Sequence, residues 1–257
     1  MNKFNSTQNI IYMNFKKTAY NYYNTFLNLI YPQKCAICGI SLLYDANYIC
    51  NICINKIKLL SEPLCKKCSK ELPPFTKHNG ICSSCASSSF YFQYCFSAVR
   101  YDELTKIIFH EIKFKKRRNL LNIFHYHLHA KLKSTKQMID NSIVIPVPLD
   151  SKRKKEREFN QSNIIAKKVS SYYHIPYEPN LLFRIKENIP QSILSRKERI
   201  NNIKGAFIVK KKNKIENKNI ILVDDVFTTG STVNECAKVL KEAGANKINV
   251  FTLARAV

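Results

Sequence analysis

Acidic residues are scarce in this sequence: 18 Asp and Glu stand against 42 Lys and Arg, a formal charge of +24 over 257 residues. Such an imbalance fits an anionic partner, nucleic acid or polyphosphate. Tryptophan is absent and glycine falls to 5, while Lys, Asn, Ile and Tyr abound, the mark of an AT-rich coding sequence that raises lysine whatever the function. Charge alone therefore leaves a nucleic-acid surface open. Long apolar runs are missing too. The uncharged stretch from Cys82 to Val99 is full of serine, and Thr18 to Pro32 is broken by asparagines, so no segment of 18 residues is apolar enough to span a bilayer. The first residues show no compact apolar core with a small-residue cleavage site, which gives the expectation of a cytoplasmic protein without membrane insertion.

Cysteine, by contrast, is plentiful. A reducing compartment argues against disulfides for these 10 residues. Eight fall in four CxxC knuckles, Cys35 with Cys38, Cys50 with Cys53, Cys65 with Cys68, and Cys82 with Cys85, separated by 11, 11 and 13 residues. Each knuckle sets two thiolates on one side of a turn, and two knuckles complete a tetrahedral Cys₄ site, so two structural zinc ions are expected. A redox CxxC would normally occur once, beside a βαβ pattern. Ordering about 50 residues costs on the order of 1 kcal/mol each, and the segment has few large apolar side chains to offset that. Zinc contributes roughly 10–16 kcal/mol per site and is expected to fold the region. Sequential pairing of the knuckles is the reading adopted, although an interleaved cross-brace fits the spacing nearly as well. Cys95 and Cys236 read as ordinary buried thiols.

The second concentration of chemistry is ILVDDVFTTGSTVNE, residues 221 to 235. Ile220 to Val223 reads as a strand buried on both faces. Asp224 and Asp225 sit at its carboxyl end, the small residues Thr228, Thr229, Gly230, Ser231 and Thr232 form a loop, and Val233, Cys236, Ala237 and Leu240 follow at helical spacing, with Gly244 closing the helix. A loop entering a helix at the carboxyl end of a strand cradles anions. Phosphate alone is repelled by two adjacent carboxylates, so the ligand should add hydroxyl donors, as a ribose 5-phosphate does. Further strands are expected at 96–101, 142–148, 181–183, 206–209 and 248–253, and a helix over 103–118. The basic stretch LDSKRKKEREFNQSN reads as a loop leading into a helix near Asn163. Alternation of this kind predicts an α/β domain with helices on both faces of a parallel sheet.

Residues 220 to 232 resemble the signature of type I phosphoribosyltransferases for 5-phosphoribosyl-1-pyrophosphate (PRPP). The resemblance implies that Asp224 and Asp225 hold the ribose hydroxyls and that the Thr228 to Thr232 loop wraps the 5′-phosphate. Two further segments narrow it: VPLDSKRKKEREFNQ is similar to the VPL…R…RGFNQ segment of the ComF (GntX-like) family of competence-associated proteins, and QSILSRKERINNIKGAF to that family's Q-x-x-L-x-x-x-x-R-x-x-N-x-x-x-A-F stretch. IKFKKRR looks, more weakly, like its LKF…R segment. This implies that the 149–160 loop, with Arg153 and Arg157, receives pyrophosphate, that 191–204, with Arg196, Lys197 and Arg199, is a lid acting in catalysis, and that Mg²⁺ accompanies PRPP. Glu158 departs from the family, standing where RGFNQ has glycine. It brings a carboxylate toward the pyrophosphate loop and removes a residue suited to positive φ. Thr228 stands where purine-salvage relatives carry an acid, which argues against that chemistry.

The resemblance implies handling of incoming single-stranded DNA with a helicase-like competence partner. A metabolic phosphoribosyltransferase of unknown acceptor and a PRPP-sensing adaptor are the alternatives. The expected organisation is a leader helix at 1–33, a zinc-ribbon module at 34–90 and the phosphoribosyltransferase-like domain at 91–257. Phe75, Phe90, Tyr91, Phe92 and Tyr94 near basic clusters suit stacking on a single strand; burial at a domain junction is the alternative.

Overall fold

A CxxC turn is closed by backbone hydrogen bonds before any metal is considered. The computed structural model describes residues 33–42, 48–74, 80–135, 139–186 and 203–256. The chain forms two compact units, Met1–Lys56 and Ile57–Val257. In the smaller unit the Cys35 N–H donates to Ile40 O at 2.8 Å and the Gly39 N–H to Cys35 O at 2.9 Å. Lys34 and Ser41 bridge beside them, and Cys50 caps the one-turn helix α1 (Asn51–Ile54). The larger unit repeats the device. Its Cys65 N–H donates to Lys70 O at 2.8 Å and Ser69 N–H to Cys65 O at 2.7 Å. Leu64 bridges Glu71, and Cys82 caps α2 (Ser83–Ala86). Gly39 and Ser69 occupy the same place after their knuckles, both with positive φ.

The rest of the larger unit is built on a four-stranded parallel sheet in the order β1 (Tyr94–Tyr101), β6 (Ile248–Ala256), β5 (Asn219–Phe227), β2 (Ser142–Pro146). β2 is buried along its whole length and β6 along its first seven residues, as parallel strands covered on both faces must be. Alternation then divides the sheet. Ile143, Ile145, Ile220, Leu222, Ile248 and Val250 join one core with Val233, Cys236, Ala237 and Leu240 of α7 (Ser231–Glu242), and the four cysteines of the second ribbon belong to that same core. α6 (Gln161–Tyr173) packs on β5 and β2, and α4 (His125–Ser134) on β1. β1 continues into α3 (Glu103–Phe114), whose N-cap Asp102 accepts the Thr105 N–H at 3.0 Å. A two-stranded antiparallel sheet of β3 (Leu182–Arg184) and β4 (Phe207–Val209) sets Arg184 opposite Phe207.

Three elements differ from the sequence expectation. β5 does not stop at Val223 but runs through both aspartates to Phe227, because pairing with β6 continues as Asp224 with Thr252, Val226 with Ala254 and Phe227 with Arg255. The basic stretch after β2 is not a plain loop either. Ser151–Arg157 forms a short helix, α5, started by the Asp150 side chain accepting the Arg153 N–H at 2.8 Å. Glu158 ends it at φ 64. α3 stops at Phe114, short of the expected 118. The leader at 1–33 lies outside the described residues apart from its last residue.

Candidate functional site

Cys35, Cys38, Cys50 and Cys53 form one tetrad and Cys65, Cys68, Cys82 and Cys85 another, each with its four sulfurs within 4.8 Å of one another. The pairing is sequential, not interleaved. A tetrahedral zinc with arms of about 2.3 Å requires sulfur edges of about 3.8 Å. The Cys38 and Cys50 sulfurs are 3.6 Å apart, and those of Cys68 and Cys82 3.7 Å. Backbone N–H groups point at the sulfurs as well, Cys50 to Cys35 Sγ at 3.4 Å and Cys82 to Cys65 Sγ at 3.3 Å. Without a cation the thiols conflict: a hydrogen bond from the Cys68 thiol holds Cys65 down at about 4, while burial pushes Cys85 up to about 12. A dication resolves the conflict by accepting every sulfur as thiolate, so both donor sets fit zinc.

The second site is a cleft of about 160 Å³ at the carboxyl ends of the strands, where Asp224, Asp225, Thr228, Gly230, Ser231 and Thr232 meet Arg153 and Arg157. The fold brings these residues to one cavity, while Thr229, from the same loop, lines the neighbouring hollow beside Cys68 and Arg255 instead. Asp224 Oδ1 accepts the Ser162 hydroxyl at 3.0 Å and the Asp225 N–H at 2.8 Å. Burial, and then the neighbouring Asp225 charge, push its carboxyl up to about 7. Asp225 is paired with Lys113 of α3 at 2.6 Å. Gly230 is the N-cap of α7 at φ 79, so no side chain from the cap occupies the helix start. A Cβ there would sit 2.5 Å from the Phe227 ring, which makes glycine the residue the turn accepts. The Thr229 and Ser231 hydroxyls bond each other at 2.8 Å, leaving a loop of hydroxyls and N–H groups suited to a phosphate.

Arg153 and Asp150 approach at 3.5 Å, and Arg157 lies over the Phe114 ring at 5.8 Å. Burial lowers the pKa of Arg157 and the charge of Asp225 supports it. Glu158 keeps the left-handed turn despite its side chain, and its carboxylate pairs with Lys116, outside the cleft lining. The carboxylate therefore lies outside the cleft. Arg196, Lys197 and Arg199 lie outside the described residues.

Several cleft residues escape a reading of motifs. Lys113 lies within IKFKKRR, where it is one basic residue among several; Gln161 closes the EFNQ end of the ComF-like segment but had no role assigned to it, and Tyr101, Ser162 and Arg184 have no signal beyond their neighbours. A further link lies behind the Thr228 to Thr232 loop. Arg255 Nε donates to Cys68 O at 2.6 Å, and its guanidinium reaches Phe227 O at 3.3 Å and Thr228 O at 3.2 Å while covering the Phe227 ring. Asn234 of α7 accepts the Tyr91 N–H at 2.8 Å. The second ribbon is thus bonded to the loop and to its helix. Phe92 is buried and meets Phe227 edge-on, with Phe90 tilted against it, so these aromatics serve the core, and Phe75 lies outside the described residues.

Comparison with known proteins finds both domains. Residues 26–86 match the double zinc ribbon domain and residues 162–256 the phosphoribosyl transferase domain. Competence protein F of Haemophilus influenzae is 32% identical over 228 residues, covering 87% of this chain and 97% of that protein. The chain belongs to the ComF family. Within the ComF family it is also similar to the DNA utilization protein YhgH of Escherichia coli, 28% identical over 232 residues with 88% and 99% covered. Competence protein ComFC of Bacillus subtilis is 28% identical over 224 residues, with 83% and 87% covered. Among the described residues, no helix is long and apolar enough to cross a membrane.

Proposed function

We propose that this ComF-family protein binds PRPP with Mg²⁺ in the cleft and acts in handling single-stranded DNA, as the names of its competence and DNA-utilization relatives suggest. The observation that carries the proposal is the union of unlike groups in one cavity: carboxylates for hydroxyls, a hydroxyl and N–H loop for a phosphate, and the guanidiniums of Arg153 and Arg157 for a second anion. Ribose 2′ and 3′ hydroxyls donate to Asp224 and Asp225, the Thr228 to Thr232 loop takes the 5′-phosphate, and Arg153 and Arg157 face the pyrophosphate. Mg²⁺ is held mainly by the ligand's phosphates, ribose hydroxyls and water. Arg196, Lys197 and Arg199 supply further positive charge as pyrophosphate leaves.

A transferase reading is favoured by the groove that adjoins the cleft. It measures about 400 Å³, is lined by Ile107, His110 and Phe114, and shares Tyr101 and Lys113 with the cleft. It offers room for an acceptor beside the ribose. Pyrophosphate release from PRPP, followed with and without single-stranded DNA and candidate bases, separates the readings. Release dependent on an acceptor supports transfer; DNA binding that weakens by about 0.7 log units per phosphate contact for each tenfold rise in salt, without release, supports a binding protein. Neither release nor DNA binding contradicts both.

A further inference from the structure

Arg184 closes β3, away from every motif that marks the site. Its side chain is 4% exposed, yet it lines the cleft together with Gln161. Nε donates to Lys186 O at 3.3 Å and one terminal nitrogen stands 3.5 Å from Asp150 Oδ2. The other terminal nitrogen is buried without an acceptor. Gln161 Nε2 is in the same condition, on a residue that is 1% exposed. Buried donors are rarely left unpaired, and a guanidinium least of all. Two of them in one cavity point to an acceptor that enters and leaves.

The identity of that acceptor follows from the company Arg184 keeps. Asp150 is 5% exposed, accepts the N–H that starts α5, and stands 3.5 Å from Arg153 and 3.5 Å from Arg184. One carboxylate oxygen, itself without a hydrogen bond, therefore stands in loose ion-pair contact with the β3 arginine and with the first-turn arginine of α5. We propose that Arg184 and Gln161 hold the pyrophosphate group of PRPP from within the cleft, with Asp150 as the positioning residue that aims Arg184 and Arg153 at the same anion. A guanidinium fork suits this task, because its parallel donors match two oxygens of one phosphate. Gln161 adds a neutral donor at the first residue of α6, where the helix dipole also favours an anion.

This inference rests on the PRPP reading but is tested apart from it. PRPP, ribose 5-phosphate and inorganic pyrophosphate, each with Mg²⁺, are titrated calorimetrically into the zinc-loaded full chain and its variants. Arg184→Gln is expected to weaken PRPP and pyrophosphate by about 10- to 100-fold, the range of a charge-assisted hydrogen bond, and to leave ribose 5-phosphate within about threefold. Arg184→Lys, which keeps the charge and loses the fork, should recover part of the loss. Gln161→Met keeps the volume and removes the donor; a selective loss of about threefold or more for PRPP is expected, and this variant carries the test should Arg184→Gln fail to fold. An equal loss for PRPP and ribose 5-phosphate marks Arg184 as a structural ion pair and overturns the proposal, as does unchanged PRPP affinity in both variants. Failure of the unaltered protein to bind PRPP overturns the underlying reading instead.

Discussion

Replacing Asp224 by Asn should make the protein more stable and a poorer ligand binder at once. The carboxyl is half-buried at the end of β5, accepts the Ser162 hydroxyl and the Asp225 N–H, and is pushed up to about 7 by burial and by Asp225. The unfolded chain releases this proton near pH 4, whereas the folded protein keeps it until near 7. The stabilising contribution is therefore fully present below about pH 4 and is lost as pH rises to about 7. Taken whole, the difference is about 4 kcal/mol at 1.36 kcal/mol per unit, and the opening of the cleft to solvent reduces the expected effect to about 2 kcal/mol. Asparagine retains an oxygen for both donors and never ionises. Denaturant unfolding at pH 5.5 and pH 8.5 should show the variant gaining about 2 kcal/mol on the parent at the higher pH and about 1 kcal/mol at the lower, where half of the window has been crossed. Its PRPP affinity should fall by about 10-fold or more, since a neutral acceptor replaces an ionised one. Equal pH dependence in the two proteins would falsify the idea that Asp224 is held near neutrality by its surroundings.

Metal analysis of protein purified without chelator should return two zincs per chain, as two separate tetrads require; one or none contradicts the two-site reading. Because Arg255 joins the Cys68 carbonyl to the carbonyls of Phe227 and Thr228, Arg255→Ala should weaken PRPP by about threefold or more without removing zinc, read by calorimetry and metal content together. Gly230→Ala meets both a left-handed φ of 79 and the Phe227 ring at 2.5 Å, and thermal unfolding should register a loss of about 2 kcal/mol or more.

Cysteine spacing carried the ribbons because metal ligation is written in residue type and interval, and the Asp-Asp-loop unit carried the ligand cleft because its order of chemistry is local. What escaped was set by burial and pairing. The strand through Asp224 and Asp225 was hidden by its own polar residues, since only the partner β6 reveals that the ladder continues. α5 was hidden by a lysine and arginine run that reads as solvated chain, although Asp150 in front of Ser151 was a cap signal. Arg184 sits on a three-residue strand with no pattern around it, and its place in the cleft lining appears only once the chain has buried it. Glu158 could not be placed from sequence: a carboxylate in a glycine position pointed to a lost positive φ, but the turn keeps its left-handed residue and the carboxylate pairs with Lys116.

The account depends above all on the cleft at the end of β5 being the PRPP site. Calorimetric titration of PRPP with Mg²⁺ into the zinc-loaded chain and into Asp224→Ala/Asp225→Ala tests this most directly. Loss of both hydroxyl acceptors should weaken binding by about 100-fold or more, on the basis of about 1.5–3 kcal/mol for each charge-assisted bond. Equal affinity in the two proteins would place the ligand elsewhere and contradict the assignment of the site.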